Sequence, residues 1–264
     1  MQIPGHHACR QAGARNDEIA EPGMTKIEKL AEVFEEMGVT TALVDLDDTL
    51  VDTHAVYLYR MERAVRIMAG EDGAEALHQA WLARITENRS RFHVNPQVLY
   101  QSFAEVTGEF TDDEARGQAI EEIRCIYEED TPPVFPGVDA FLRDLRQAGL
   151  KVCVVTHASP EWTAKKLSAN NLASLVDQVY CIDIDGPKDE DAWAAVYEKE
   201  GVTVNQVIVV GDSIVSDVWP NLNLGLPADR IVRVTSKFKF GSQEVPEFVL
   251  QADGVSVALE SFLN

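Results

Sequence analysis

Short apolar runs recur along this chain, and helical segments separate them. Residues 41–46, 151–156, 206–210 and 231–234 form compact blocks dominated by Val, Ile, Leu and Ala, with a weaker block at 178–182. Blocks this short, apolar throughout and bounded by turn residues, suit strands buried on both faces. Residues 138–148, stopped by Gly149, read as a helix, as do residues 191–199. Ser159-Pro160 opens another, with Ser as N-cap and Pro in the first turn. Strand and helix in alternation specify an α/β fold, a doubly wound parallel sheet with helices on both faces.

One stretch breaks this rhythm. Tyr57, Met61, Val65 and Met68 recur at helical spacing, and so do Leu77, Trp81 and Ile85. Val98, Leu99, Phe103 and Val106 make a third apolar face after Asn95-Pro96. Thr111 and Glu114 start a fourth, continued by Ala119, Ile123 and Ile126. The expected organisation is therefore a core formed by residues 25–53 and 132–264, with an inserted all-helical cap of four helices over residues 54–131. Thr131-Pro132-Pro133 and Pro136-Gly137 mark the return to the core. Ahead of the first strand, Thr25 and Glu28 form a capping-box pattern, Leu30 and Phe34 share an apolar face, and Gly38 closes the helix. Residues 1–24 carry no apolar block of signal-peptide type and read as a flexible tail, with Met24 an alternative start.

The net charge of −21 argues against nucleic acid and anionic membranes as partners. It also means that any phosphate site must bring its own positive charge or a metal. Cys9, Cys125, Cys153 and Cys181 show neither CxxC spacing nor a zinc pattern with histidines, so reduced thiols and a cytoplasmic setting are expected. No stretch is apolar enough to cross a membrane.

Polar residues close three of the strands: Asp45, Thr156 and Asp212, while Lys188 follows the weaker fourth. In an open parallel sheet the carboxyl ends of the strands form the ligand crevice, so these residues should converge. The 111 positions from Asp45 to Thr156 exceed one crossover, and the helical insert accounts for the excess. Asp45 and Asp212 make a hard oxygen site suited to Mg²⁺. Lys188 adds positive charge, and the Thr156 hydroxyl can donate to a phosphate oxygen. Asp45 can attack phosphorus as a nucleophile, and Asp47 can deliver a proton to the leaving oxygen and later take one from water.

These residues carry a resemblance. Asp45-Leu46-Asp47-Asp48-Thr49 resembles the first motif, DxDxT, of phosphatases in the haloacid dehalogenase-like superfamily. Val155-Thr156 resembles its second motif, Lys188 its third, and Gly211-Asp212 with Asp217 its fourth, GDxxxxD. All four stand in order between residues 41 and about 235, with the insert where members with a C1-type helical cap carry theirs. The resemblance implies a Rossmann-like core of five strands with the first motif's strand central. It implies Asp45 as nucleophile and metal ligand, Asp47 as acid/base with its backbone carbonyl on the metal, and Thr156 and Lys188 on the phosphoryl group. Asp212 is then a metal carboxylate and Asp217 holds a metal-bound water. Pro187 before Lys188, where members often have Lys-Pro, and His157 after Thr156, where Asn is frequent, depart from the usual pattern.

The expected activity is Mg²⁺-dependent hydrolysis of a small soluble phosphorylated metabolite through an aspartyl phosphate. A phosphomutase of the same superfamily would use the same residues. A dehalogenase has no need of Asp47. A receiver-type signalling domain shares the sheet but carries its accepting Asp on the third strand. His157, Arg89 and Arg91 are candidate substrate contacts, the two arginines with His93 forming a positive patch in the cap. His54 reads as structural or exposed. Asp48 and Asp52 read as solvated turn residues, and Lys165 and Lys166 as exposed helix positions. The oligomeric state is left open by the sequence.

Overall fold

The computed structural model describes residues 24–235 and 244–263; the expected tail lies outside the described residues except for Met24. The chain enters through α1 (Lys26–Glu36), capped by Thr25 and Glu28 as the capping-box pattern requires. Then come β1 (Thr41–Val44), the helical insert, α5 (Val138–Gln147), β2 (Lys151–Thr156), α6 (Pro160–Ala169), β3 (Gln178–Cys181), α7 (Glu190–Glu200), β4 (Val207–Gly211), α8 (Trp219–Asn223), β5 (Ile231–Val234) and β6 (Leu250–Ala252). The insert holds α2 (Thr53–Phe92), α3 (Gln97–Val106) and α4 (Asp113–Glu128).

The six strands are parallel in the order β3-β2-β1-β4-β5-β6. The fold is the doubly wound sheet that the strand–helix alternation implies, and β1 is central. The sixth strand is an addition: β6 is only three residues long and carries Gln251 at its middle, too short for an apolar run. Alternate residues along each strand feed two cores. Ala42, Val44, Val152, Val154, Ile208 and Val210 pack toward Phe34, Phe141 and Leu142. Leu43, Cys153, Val155, Val207 and Val209 pack toward Trp193, Val196 and Tyr197 on the other face. Double burial explains why the strands read as continuous apolar blocks.

Val44 is level with Val154 on β2 and with Val210 on β4. The residues after these positions therefore leave the sheet side by side, between strands that the chain reaches from opposite directions. Such a switch point opens a crevice.

The insert has its own core, in which the tilted rings of Trp81 and Phe103 pack with centroids 4.7 Å apart and Trp81 Nε1 donates to the Leu99 carbonyl. Arg60 ties α2 to α4, bonding Glu122 and both oxygens of Asp130. The first two expected helices are joined without a loop. Two helical stretches within Thr53–Phe92 meet at a single non-helical residue, Gly70 at φ 65° and ψ 179°, which turns the axis. Insert and core meet at two paired segments, with Asp52 N–H donating to the Pro133 carbonyl and Phe135 N–H to that of Leu50. Among the described residues no helix is long and apolar enough to cross a membrane.

The Gly70 conformation belongs to a region of backbone space that only glycine occupies readily. A methyl added there meets no atom within 4 Å, so backbone strain is the whole cost. Gly70→Ala should lower unfolding free energy by about 1–3 kcal/mol, read from urea unfolding followed by tryptophan fluorescence. An unchanged midpoint would show that the bend is not fixed by this residue.

Candidate active site

The site is built on the C-terminal end of β1. The Asp45 N–H donates to the Val210 carbonyl at 2.8 Å, so the sheet ladder holds its backbone. The chain then doubles back in a tight loop, closed by Leu50 and Val51 N–H groups donating to the Leu46 carbonyl. Asp48 adopts the left-handed conformation, φ 59°, that this loop needs; Asp tolerates it better than most residues. Asp45 ends up 6% exposed, and Asp47 stands one step further out on the same rim.

Lys188 is the counter-charge to Asp45. It is 4% exposed and reaches back from the loop after β3. Its ammonium donates to Asp45 Oδ1 at 2.7 Å and to the Val155 carbonyl at 2.8 Å, and pairs with Asp217 Oδ1 at 2.7 Å. Asp217 is 1% exposed, and its other oxygen accepts the Ser213 N–H at 3.1 Å. The segment Ile214–Val218 is a single wide π-type turn that aims Asp217 inward. It comes so close to β4 that a Cβ on Gly211 would sit 2.5 Å from an Asp217 oxygen. A glycine is therefore required ahead of Asp212.

Asp45, Asp212 and Asp217 each offer a carboxylate oxygen, all within 4.8 Å of one another. Three hard oxygen donors at this spacing suit a small divalent cation such as Mg²⁺. Asp217 Oδ1 is buried and, apart from its ion pair with Lys188, lacks a hydrogen-bond partner. Burial pushes the Asp45 carboxyl up to about 7, the Asp217 charge adding to the rise and Lys188 opposing it. The Lys188 ammonium is driven above its ordinary value by Asp217 and Asp45, despite burial.

Asp47 is held by a second lysine. Lys166 Nζ lies 2.5 and 2.6 Å from the two Asp47 oxygens, the Thr53 hydroxyl donates to Oδ1 at 2.5 Å, and the Thr156 hydroxyl donates to Oδ2 at 3.1 Å. Lys166 also lies 3.8 Å from the centre of the Trp162 ring. The expectation of an exposed Lys166 is wrong: the residue is 0% exposed. The sign in the sequence was its place on α6, where Thr163, Lys166 and Leu167 share the buried face. Pro160 starts α6 just after Thr156 and so brings that face to the site. Lys165, half-buried, donates to the Glu128 carbonyl of the insert.

Other expectations are redrawn in the same way. Asp48 is half-buried, not solvated: it accepts the His54 N–H at 2.9 Å, and burial pushes its carboxyl up to about 6. Asp52 is the N-cap of α2, bonding the Ala55 N–H. Thr156 is fully buried with its hydroxyl turned to Asp47. His157 is half-buried with Nε2 3.0 Å from the Asp183 carbonyl, and burial, helped by nearby Lys188, pushes it down to about 4. The arginine patch is split. Arg89 and His93 line the cavity between insert and core, burial lowering the Arg89 guanidinium from its ordinary value, whereas Arg91 is exposed outside it. That cavity, about 850 Å³, takes in Asp45, Asp47, Thr156, Lys188, Asp212 and His54 at its floor and rim.

A protein-family model described as haloacid dehalogenase-like hydrolase matches residues 39–224. A phosphoglycolate phosphatase of Caulobacter vibrioides is 27% identical over 234 residues, covering 86% of this chain and 89% of the relative. Among solved structures, a haloacid dehalogenase-like hydrolase from Xanthomonas campestris aligns with a TM-score of 0.66 at 19% identity, over 85% of this chain and 92% of that one. The L-2-haloacid dehalogenase of Xanthobacter autotrophicus aligns at 0.59 and 18% identity, over 84% and 97% of the two chains. At these identities the structural matches speak for the fold alone.

Removing the Lys166 ammonium strands the Asp47 carboxylate, whose side chain is only 24% exposed. Lys166→Met should cost about 3 kcal/mol of stability, the low end for breaking a buried ion pair, with Lys166→Arg losing less. Urea unfolding of the two variants checks this; equal stability of wild type and Lys166→Met would mean that the pair is not a net support.

Proposed function

Because the chain belongs to the haloacid dehalogenase-like hydrolase family, we propose that it is a Mg²⁺-dependent phosphomonoester hydrolase that works through an aspartyl phosphate on Asp45. The observation that carries this reading is the meeting of Asp45, Asp212, Asp217 and Lys188 beside Asp47 at the ends of the central strands. The phosphatase relative supports the same reaction class.

Asp45, Asp212 and Asp217, with the backbone carbonyl of Asp47, would hold the Mg²⁺, which supplies positive charge to phosphate oxygens in a chain of net charge −21. Lys188 holds the Asp45 carboxylate in place, Oδ1 bonded, which leaves Oδ2 for attack on phosphorus. As the new O–P bond forms, the bond to the leaving alcohol breaks, and Asp47 gives that alcohol oxygen its proton. Water then attacks the aspartyl phosphate, and Asp47 takes the proton that water loses. The ammonium and two hydroxyls around Asp47 make its carboxylate an acceptor, the state that this second step uses. Its role as acid in the first step requires a turn away from those donors. The insert, residues 54–131, serves as the cap that limits water at the site until the aspartyl phosphate has formed. Its Arg89, with His157 on the core, faces the non-reacting part of the substrate.

Purified protein with Mg²⁺ should release inorganic phosphate from a panel of small phosphomonoesters and stop when a chelator removes the metal. Asp45→Asn should abolish release, a loss of at least a thousandfold, since an amide cannot form the acyl phosphate. Phosphate release by Asp45→Asn at the wild-type rate would sink the reading.

A further inference from the structure

The cavity that holds the carboxylates also has apolar lining from both insert and core. Leu82 on the cap and Ile214 on the core, both half-buried, line it. Leu58 on the cap and Val215 on the core also line it and are 37% and 55% exposed. Among the described residues they are two of only eight large apolar side chains left open to solvent. Apolar surface that faces a cavity from both sides gains free energy when an apolar body covers it. The volume, about 850 Å³, lies within the ~300–1,000 Å³ of sites that enclose whole organic ligands. A phosphoryl group with a short polar tail would fill little of it and leave these walls wet.

We propose that the substrate is a phosphate monoester of an alcohol with a sizeable apolar body, the phosphoryl group at Asp45 and the body lodged against Leu58, Leu82, Ile214 and Val215, with Arg89 beside it. The inference rests on the phosphatase reading and narrows its substrate class. It sets this chain apart from an enzyme whose leaving group is as small and charged as glycolate.

Straight-chain alkyl phosphates from ethyl to hexyl test it, because their leaving alcohols are nearly equal in basicity and differ in apolar area. With Mg²⁺, kcat/KM should rise roughly threefold to fourfold per methylene as each is buried, and hexyl phosphate should exceed phosphoglycolate. The matching alkyl phosphonates, which cannot be hydrolysed, should tighten by a similar factor per methylene when binding is measured by calorimetry. Leu58→Asn and Val215→Asn, both at open positions that folding tolerates, should flatten that slope, which is the readout whatever the absolute rate. A flat or falling slope in both series, with ethyl phosphate or phosphoglycolate still cleaved in an Asp45-dependent way, overturns this inference and leaves the phosphatase reading standing. A rising phosphonate slope with no ester cleaved overturns the phosphatase reading while supporting the apolar site.

Discussion

A buried ammonium between two carboxylates organises this molecule. Lys188 bonds Asp45 and Asp217 at 2.7 Å each, and the three residues come from the loop after β3, the end of β1 and the turn after β4. A charge removed from water at this depth is costly unless it is paired and hydrogen-bonded. The trio therefore fixes how three separate loops fold against one another. With Asp212 in the same cluster, three carboxylates face one ammonium. Burial pushes the Asp45 carboxyl up to about 7, with Lys188 opposing the rise and Asp217 adding to it. A divalent cation answers that same imbalance, so the strain in the charge pattern and the fit to Mg²⁺ have one origin.

The second lysine gives the two aspartates different surroundings, as their proposed roles require. Asp45 and Asp47 are two residues apart, yet each has its own buried lysine, one on a loop and one on α6. Lys188 bonds one oxygen of Asp45, whereas Lys166 engages both oxygens of Asp47. Two carboxylates in one short segment can serve as nucleophile and proton carrier only if their surroundings differ. The different lysines supply that difference.

The sheet was legible because double burial leaves its mark residue by residue: a strand such as Val207–Gly211 has no solvent face on which to place a polar side chain. Asp45, Thr156 and Asp212 were legible because they interrupt such runs at their ends. Lys166 was less so: its spacing with Thr163 and Leu167 puts it on the buried face of α6, but a lysine in a helix ordinarily marks solvent, and only the fold shows Asp47, 119 positions away, beneath it. The split of Arg89 from Arg91 was hidden for a related reason. Two positions apart on a helix place side chains on different faces, so a patch in the sequence need not be a patch in space. Gly70 replaced a loop with a bend because its missing side chain lets the backbone turn within one residue, a geometry that helical spacing on either side does not reveal.

The candidate catalytic groups that line the cavity all come from the core. Asp45, Asp47, Lys188, Asp212 and Asp217 come from the core, at β1 and the loops after β3 and β4, while the insert lines the same cavity with Leu58, Leu82 and Arg89. Electrostatic work at phosphorus depends on groups held by the buried sheet, where a shift of one residue would strand a charge. The fit to the rest of a substrate depends on apolar side chains, whose exchange for others of similar volume typically costs under ~1.5 kcal/mol. A change in the cap wall can thus alter which alcohol is accepted without disturbing Asp45, Asp47 or their lysines. The reaction is constrained tightly by the core, and the choice of leaving group only loosely by the cap.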